Sequence, residues 1–167
     1  PGADIQICIW ESRVKDYTAY AVGNQTVDEA WKTPSQDRMK QTDTHPVVNV
    51  SWNDAEWSVA VGLGKEKGTT PEEKSQGIKD VYPWGKEWPP PKGAGNYYKT
   101  LKVDGFEYTA PVGSFVANEQ GLHDMGGNVL ELCEDKYKPT STRRVSRGAC
   151  WNLSLRGPLL SSSRLLN

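Results

Sequence analysis

The residues best suited to chemistry lie in one short stretch, residues 121–135. Asp124, Asn128 and Glu131 offer oxygen ligands of the hard type that calcium prefers. A Gly-Gly pair at 126–127 lets the backbone take positive φ angles and turn its carbonyl groups toward one point. The stretch therefore indicates a calcium site. Because it lacks the EF-hand pattern, a polar turn before a buried strand remains the alternative.

Two further turns carry oxygen-bearing side chains. Residues 95–98 include Asn96, and residues 104–106 begin with Asp104. Glycine, asparagine and aspartate are typical of tight turns, so both segments are predicted to be loops. They form a second possible cation site if the two loops converge.

The three cysteines do not suggest a metal or disulfide framework. Cys8, Cys133 and Cys150 are an odd number, and their spacings are far from any CxxC pattern. We expect free thiols that are mostly buried.

Length and charge restrict the class of protein. A chain of 167 residues predicts a single domain over 1–167. The net charge of -1 provides no basic surface for nucleic acid, so no nucleic-acid partner is expected. No apolar run is long enough to insert into a membrane, and the N-terminus lacks the order of a signal peptide. The chain is expected to be a soluble domain, with cytoplasm and cell surface both left open as its compartment.

The aromatic and turn-forming residues predict a loop-rich fold. Seven Trp, seven Tyr, sixteen Gly and eleven Pro accompany only two Phe. Such aromatic side chains are usually half-buried with a polar edge that needs a partner. The proline-flanked tryptophans of residues 82–91 are expected to pack inside their own domain, with a ligand for an SH3-type domain as the alternative.

Short elements must position these residues. Alternation predicts a strand at 5–10, and the apolar spacing of Val14, Tyr17 and Ala21 predicts a helix that Ser12 can cap. A second helix is predicted over 52–63, a single helical turn begins near Thr70, and the last strand is predicted over 144–151.

Six blocks of sequence, in order, resemble the formylglycine-generating enzymes, also called sulfatase-modifying factors. The blocks are residues 10–14 with Tyr17, 45–55, 82–85, 110–115 with Asn118, 121–131 and 147–151. They cover most of the chain. The resemblance implies an α+β, C-type-lectin-like fold, loop-rich with short strands and two main helices. Bacterial members attached to serine/threonine kinases are especially similar.

The resemblance also implies two structural calcium sites. One would use the side chains of Asn96 and Asp104 with the carbonyl groups of Tyr97 and Phe106. The other would use the side chains of Asp124 and Glu131 with the carbonyl groups of Gly127 and Val129. Both sets consist of hard oxygen donors.

Departures from the family argue against catalysis. In the catalytic members a cysteine pair binds copper, and the matching positions here are Leu153 and Pro158. Neither supplies the thiolate that copper(I) needs, so copper is not expected. The domain is also expected to be shortened near 55–56 and at the C-terminus, where family segments have no counterpart.

The sequence thus predicts a non-catalytic module that binds a protein or peptide ligand. The resemblance extends to variable proteins of diversity-generating retroelements, which diversify this C-terminal stretch. The expected ligand surface comprises Trp151, Asn152, Leu153, Ser154, Leu155, Arg156, Ser162 and Arg164, together with Ser161 and Ser163; for Leu159 and Leu160 core packing is preferred. The alternatives are an oxidase of the formylglycine-generating type acting on a sulfatase cysteine, and a sensor domain attached to a bacterial kinase.

Overall fold

A computed structural model describes residues 8, 10–23, 29–33, 41–48, 57–63 and 66–166. The predicted strand at 5–10 lies outside these residues apart from Cys8 and Trp10. Residues 52–56 of the second predicted helix also lie outside them.

Helices in the described residues are few and short. Helix α1 spans Val14–Gly23, α2 spans Trp57–Ala60 and α3 spans Pro71–Lys74. Two 3-10 turns cover Ala30–Lys32 and Lys99–Leu101. None of the described helices is both long and apolar enough to cross a membrane.

The apolar spacing correctly predicts how α1 packs. Val14, Tyr17 and Ala21 are half-buried, whereas the rest of the helix is exposed. The helical turn predicted near Thr70 is also confirmed as α3. The Thr70 hydroxyl accepts a hydrogen bond from the backbone N–H of Glu73, and the Glu73 carboxylate accepts one from the backbone N–H of Thr70. This reciprocal capping box stabilises a helix that is too short to persist alone.

One antiparallel sheet of three strands occupies the C-terminal half of the chain. Strand β1 spans Glu131–Lys136, β2 spans Arg144–Arg147 and β3 spans Leu165–Leu166, in the order β1-β2-β3. Glu131 pairs with Arg147, and Ser146 pairs with Leu165. The predicted final strand over 144–151 therefore ends at Arg147, and residues 148–151 are irregular.

In the part of the chain that the structure describes, buried apolar side chains form two clusters. The larger cluster contains buried Tyr82, Tyr97, Val103, Ala149, Leu159 and Leu160, with Trp84, Trp88, Leu101 and Leu153 packed against it. The smaller cluster contains Trp57, Cys133 and Val145. The prediction that the proline-flanked tryptophans pack within their own domain is thus confirmed, as is the core position of Leu159 and Leu160.

The burial of residues 161–164 corrects the prediction of the ligand surface. Ser162 and Arg164 are expected outside, but both are buried, as are Ser161 and Ser163. The Ser162 hydroxyl donates to the carbonyl oxygen of Ile78 over 2.8 Å. Serine side chains are small enough for this segment to run through the interior, although the buried hydroxyl groups of Ser161 and Ser163 have no hydrogen-bond partner. Ser162 and Arg164 are therefore removed from the ligand surface.

Arg164 is buried because a carboxylate matches it. Its two terminal nitrogens donate to the two carboxyl oxygens of Glu66, each over 2.6 Å. Burial would raise the pKa of Glu66, but the hydrogen bonds from Arg164 and Ser58 lower it overall. A bidentate pair of this kind compensates for the desolvation of both charges.

Candidate functional site

The loop 126–129 forms the centre of the site and passes unusually close to a neighbouring loop. Gly127 has a φ of +83°, and a Cβ there would overlap the carbonyl oxygen of Asn96. Only glycine allows this approach. The Gly127 N–H donates to the carbonyl oxygen of Gly148 over 2.7 Å. The 126–129 loop is therefore held between the segments at 96 and 148.

Asn128 is wholly buried, and all its polar atoms are bonded. Its Oδ1 accepts from the Ala110 N–H over 2.8 Å and from Asn96 Nδ2 over 3.3 Å. Its Nδ2 donates to Glu11 Oε2 over 2.6 Å. The sequence analysis offers Asn128 as an oxygen ligand for a cation. The structure corrects this, because its side-chain oxygen is already used to join three loops.

Three carboxylates surround this loop: Glu11, Asp124 and Glu131, which we name the acidic centre. Asp124 is only 4% exposed; its Oδ2 accepts from the Gly113 N–H over 2.6 Å, and its Oδ1 has no hydrogen-bond partner. Glu131 Oε2 accepts from Trp57 Nε1 over 3.3 Å. A Cβ at Gly148 would overlap this same carboxyl oxygen, so glycine there makes room for Glu131.

Burial and mutual repulsion oppose ionisation of the three carboxyls in the acidic centre. Burial raises the pKa of the Glu131 carboxyl well above its ordinary value, and Asp124 raises it further. Burial likewise raises the pKa of Glu11, with added repulsion from Glu131 and Asp124. The pKa of Asp124 is also raised, mainly by burial. Either protons or a cation would relieve this arrangement.

A second group, which we name the Asn96 site, lies on the other side of Asn128. Asn96 is fully buried; its Nδ2 donates to the carbonyl oxygen of Tyr108 over 2.6 Å, while its Oδ1 has no partner. Asp104 accepts from the N–H groups of Tyr97 and Phe106 over 3.0 and 2.9 Å. The loops at 96 and 104 therefore do converge.

Both groups fit a cation on the same physical ground. An unpaired buried oxygen is costly, and Asp124 Oδ1 and Asn96 Oδ1 are each such an atom. Within the described residues, no three His, Cys, Asp or Glu side chains come close enough to hold a metal by themselves. A cation at either place would therefore depend on backbone carbonyl oxygens, such as those of Gly127 and Val129, as well as side chains.

Residues 151–156 form an irregular loop in which Asn152, Leu155 and Arg156 are exposed. We name this loop the ligand surface after the prediction made for it. Trp151 meets the Tyr108 ring edge-on, with centroids 5.2 Å apart. Arg156 Nε donates to the Tyr82 hydroxyl over 2.7 Å, and the guanidinium forms an ion pair with Asp80. Leu155 is 70% exposed.

The remaining predicted members of this surface differ in position. Asn152 is exposed and Ser154 is half-buried. Leu153 packs against the larger core cluster, and its carbonyl oxygen accepts from the Tyr98 N–H over 3.0 Å. The surface is thus a loop anchored on aromatic rings, with Leu155 and Asn152 facing outward.

A cleft of about 490 Å³ opens beside the acidic centre rather than beside the ligand surface. Its lining includes Tyr82, Trp84, Lys86, Phe115, Gln120 and Asp124. None of residues 151–156 lines it. Asp124 thus lies at the edge of this cleft, although its side chain is buried.

The thiols are separate from one another. Cys8, Cys133 and Cys150 are all free; Cys8 is exposed, Cys133 is buried and Cys150 is half-buried. The free state agrees with prediction, but the exposure of Cys8 does not. Burial raises the pKa of the Cys150 thiol to about 11, and its sulfur donates to Asn152 Oδ1. Cys150 therefore carries little thiolate near neutral pH.

Sequence reasoning missed Glu11 as a member of the site. Glu11 lies 117 residues before Asn128, and only the fold brings the two together. Its place inside the first family-like block was the one available signal. The linking role of Asn128 was missed too, because a side chain's partners are not visible in its spacing.

The described residues form a loop-rich α+β fold, and a solved structure shares it. Treponema denticola variable protein 1 matches with a TM-score of 0.54, covering 94% of this chain and 76% of that one at 16% identity. At this identity the likeness shows the fold alone. A family profile described as "Sulfatase-modifying factor enzyme 1-like domain" matches residues 6–164. The chain belongs to this family, as the six blocks predict.

Several curated proteins are similar to this chain. The formylglycine-generating enzyme of Thermomonospora curvata is 34% identical over 149 residues, covering 81% of this chain and 48% of that protein. The "Inactive C-alpha-formylglycine-generating enzyme 2" of Bos taurus is 39% identical over 116 residues, covering 64% and 38%. Serine/threonine-protein kinase pkn1 of Chlamydia caviae is 33% identical over 144 residues, covering 74% and 22%. This chain spans about half, or less, of these relatives.

Proposed function

We propose that this chain is a non-catalytic module of the family that binds a protein or peptide through its ligand surface. The observation that carries the proposal is that both ends of the loop 151–156 are held in place by aromatic residues. Trp151 and Arg156 hold the ends of the loop against Tyr108 and Tyr82, so little ordering remains to be done on binding. An anchored loop that exposes an apolar side chain such as Leu155 is well suited to recognition.

The positions of the thiols support a non-catalytic role. Copper(I) chemistry requires converging thiolates. Leu153 and Pro158 occupy the positions where the resemblance implies cysteines, and Leu153 is packed into the core. The Cys150 thiol has a raised pKa and donates a hydrogen bond to Asn152 Oδ1. A relative named as inactive shows that the family includes members of this type.

Peptides selected from a random library provide a direct test. Their dissociation constants would be measured by calorimetry for the parent, for Leu155→Asp, and for Val22→Asp as a control. Val22 is an equally apolar, highly exposed residue on α1. We expect Leu155→Asp to weaken binding by about tenfold or more, because it places a charge at the centre of the contact. Equal affinity for the parent and Leu155→Asp would overturn the surface assignment.

We also propose that calcium stabilises the two cation sites. The Asn96 site would hold the ion through Asn96, Asp104 and the carbonyl groups of Tyr97 and Phe106. The acidic centre would hold it through Asp124, Glu131 and the carbonyl groups of Gly127 and Val129. The unpaired buried oxygens of Asn96 and Asp124 support both assignments. Bound calcium would neutralise charge and hold loops that lack a regular hydrogen-bond ladder.

Thermal melting with calcium and with chelator tests this role. A ligand that binds only the folded state stabilises it by about 2.7 kcal/mol at roughly 100 times its dissociation constant. Calcium should raise the midpoint of the parent, and Asp124→Ala and Glu131→Ala should reduce that rise. Glu87→Ala, which removes an exposed carboxylate, is the control. A midpoint that does not respond to calcium in the parent would refute the proposal.

An oxidase acting on a sulfatase cysteine is the second candidate, because enzymes of that name are among the similar proteins. The test is to incubate the copper-treated protein with a sulfatase-derived cysteine peptide and follow the thiol by mass spectrometry. Conversion of cysteine to formylglycine would establish this activity and displace the non-catalytic proposal. Similarity to pkn1 makes attachment to a kinase a further possibility, which the full reading frame would decide.

A further inference from the structure

Asn128 connects the candidate cation sites to the ligand surface. Its side chain forms hydrogen bonds with the side chains of Asn96 and Glu11. Its backbone N–H donates to the carbonyl oxygen of Asn96 over 2.8 Å. Its own carbonyl oxygen accepts from the Trp151 N–H over 3.0 Å. Trp151 is the first residue of the ligand surface. One buried residue thus contacts the Asn96 site, the acidic centre and the start of the binding loop.

A second bond places the same two segments side by side. The Gly127 N–H donates to the Gly148 carbonyl oxygen over 2.7 Å, three residues before Trp151. The Glu131 carboxylate packs directly against Gly148, where a Cβ would overlap it. Residues 126–131 and 148–151 therefore cannot shift independently. Any force on the 127–131 backbone acts on the backbone that positions Trp151.

Glu11 fixes this arrangement from the N-terminal side. Its two carboxyl oxygens accept from Asn128 Nδ2 over 2.6 Å and from the Val129 N–H over 3.3 Å. By holding the amide of Val129, Glu11 orients the peptide units that would present carbonyl oxygens to a cation. Glu11 is also close enough to Asp124 and Glu131 to repel both. When these carboxyls are ionised and no cation is bound, that repulsion acts to separate the segments that Asn128 joins.

We propose that occupancy of the acidic centre by calcium controls the order of the ligand surface through Asn128, with Glu11 as the positioning residue. The inference rests on the proposed calcium role and deepens it, since it makes ligand binding dependent on calcium. Calcium neutralises the carboxylates, holds residues 127–131 in place, and so keeps the Trp151 amide bonded to Asn128. Calcium binding and the ordering of the ligand surface would both act on residues 127–131. Coupling between two sites requires such a shared element.

Amide hydrogen exchange of the Trp151 N–H tests the coupling, because that N–H makes the connecting bond. The reference is the Ser161 N–H, which donates to the Val81 carbonyl oxygen over 2.8 Å in a different part of the fold. In the parent, calcium should slow exchange at Trp151 by roughly 5- to 100-fold relative to Ser161. Glu11→Gln should weaken calcium binding and reduce this relative slowing, whereas the exposed Glu87→Gln should leave both unchanged.

The outcomes separate this inference from the proposed calcium role. If calcium raises the melting midpoint but slows Trp151 and Ser161 equally, the calcium role stands and the coupling is wrong. If Glu11→Gln binds calcium and protects Trp151 as the parent does, Glu11 is not the positioning residue. If calcium has no effect on the parent, both the calcium role and the coupling fail. Should Glu11→Gln not fold, the parent comparison alone decides the coupling.

Discussion

At the scale of single residues, the buried polar atoms differ in whether they have a hydrogen-bond partner. Asn128 has a partner for every polar atom, whereas Asp124 Oδ1 and Asn96 Oδ1 have none. Residue type and spacing single out all three as candidate oxygen ligands. They cannot show which oxygen remains unpaired, because that depends on loops far away in sequence, such as Ala110 and Glu11.

A substitution of Gly148 gives a prediction at the scale of single residues. Gly148→Ala should destabilise the fold and weaken the calcium response, because a Cβ would displace the Glu131 carboxylate. Gly93→Ala is the matched control, since Gly93 has a similar φ of +78° and no atom near the added Cβ. Strain alone costs roughly 1–2 kcal/mol for a left-handed residue. Urea unfolding and calcium titration of both variants measure the difference. Equal losses would show that the contact with Glu131 is unimportant.

At the scale of elements, the predictions of α1 and α3, which depend on local sequence patterns, were confirmed, whereas a prediction that depends on long-range partners was wrong. The apolar spacing predicted α1, and the helical turn predicted near Thr70 is α3. The segment at 161–164 was misplaced because serine and arginine are usually exposed. Its burial depends on Glu66 and on backbone groups near Ile78, which local sequence does not reveal.

The segment before β3 therefore gives a second prediction. Arg164→Met should destabilise the protein by roughly 3–5 kcal/mol, because it leaves the buried Glu66 carboxylate without its partner. Lys138→Met is the control, since its pair with Glu72 is exposed and should matter little to stability. Denaturant unfolding compares the two. A similarly small effect of both substitutions would contradict the assignment of Arg164 to the interior.

For the whole molecule, the acidic centre should make calcium-free stability depend on pH. The folded-state pKa of Asp124 lies above its ordinary value of 3.8, mainly through burial. Above that value the folded state binds more protons than the unfolded state, so this carboxyl favours unfolding increasingly as the pH rises. The parent should lose stability relative to Asp124→Asn over the pH range that begins at about 4 and ends where the raised folded-state pKa of Asp124 is passed, in metal-free buffer. Urea unfolding across that range gives the difference.

Calcium provides the control for this pH dependence. When bound, it stabilises the ionised carboxylates, so the loss at higher pH should be reduced or reversed in the parent. Asp124→Asn should gain less from calcium at neutral pH than the parent does. A parent whose stability relative to the variant rises with pH in metal-free buffer would contradict the described environment of Asp124.

The sequence by itself determined the family, the loop-rich α+β class, α1, α3 and the core position of Leu159 and Leu160. These features depend on residue type, local spacing and the order of motifs, all of which are present in the linear chain. Only the tertiary structure decided that Ser162 and Arg164 are internal, that Asn128 joins loops, and that Glu11 belongs to the acidic centre. Each of these depends on partners distant in sequence, because a buried polar group is defined by the atoms that satisfy it.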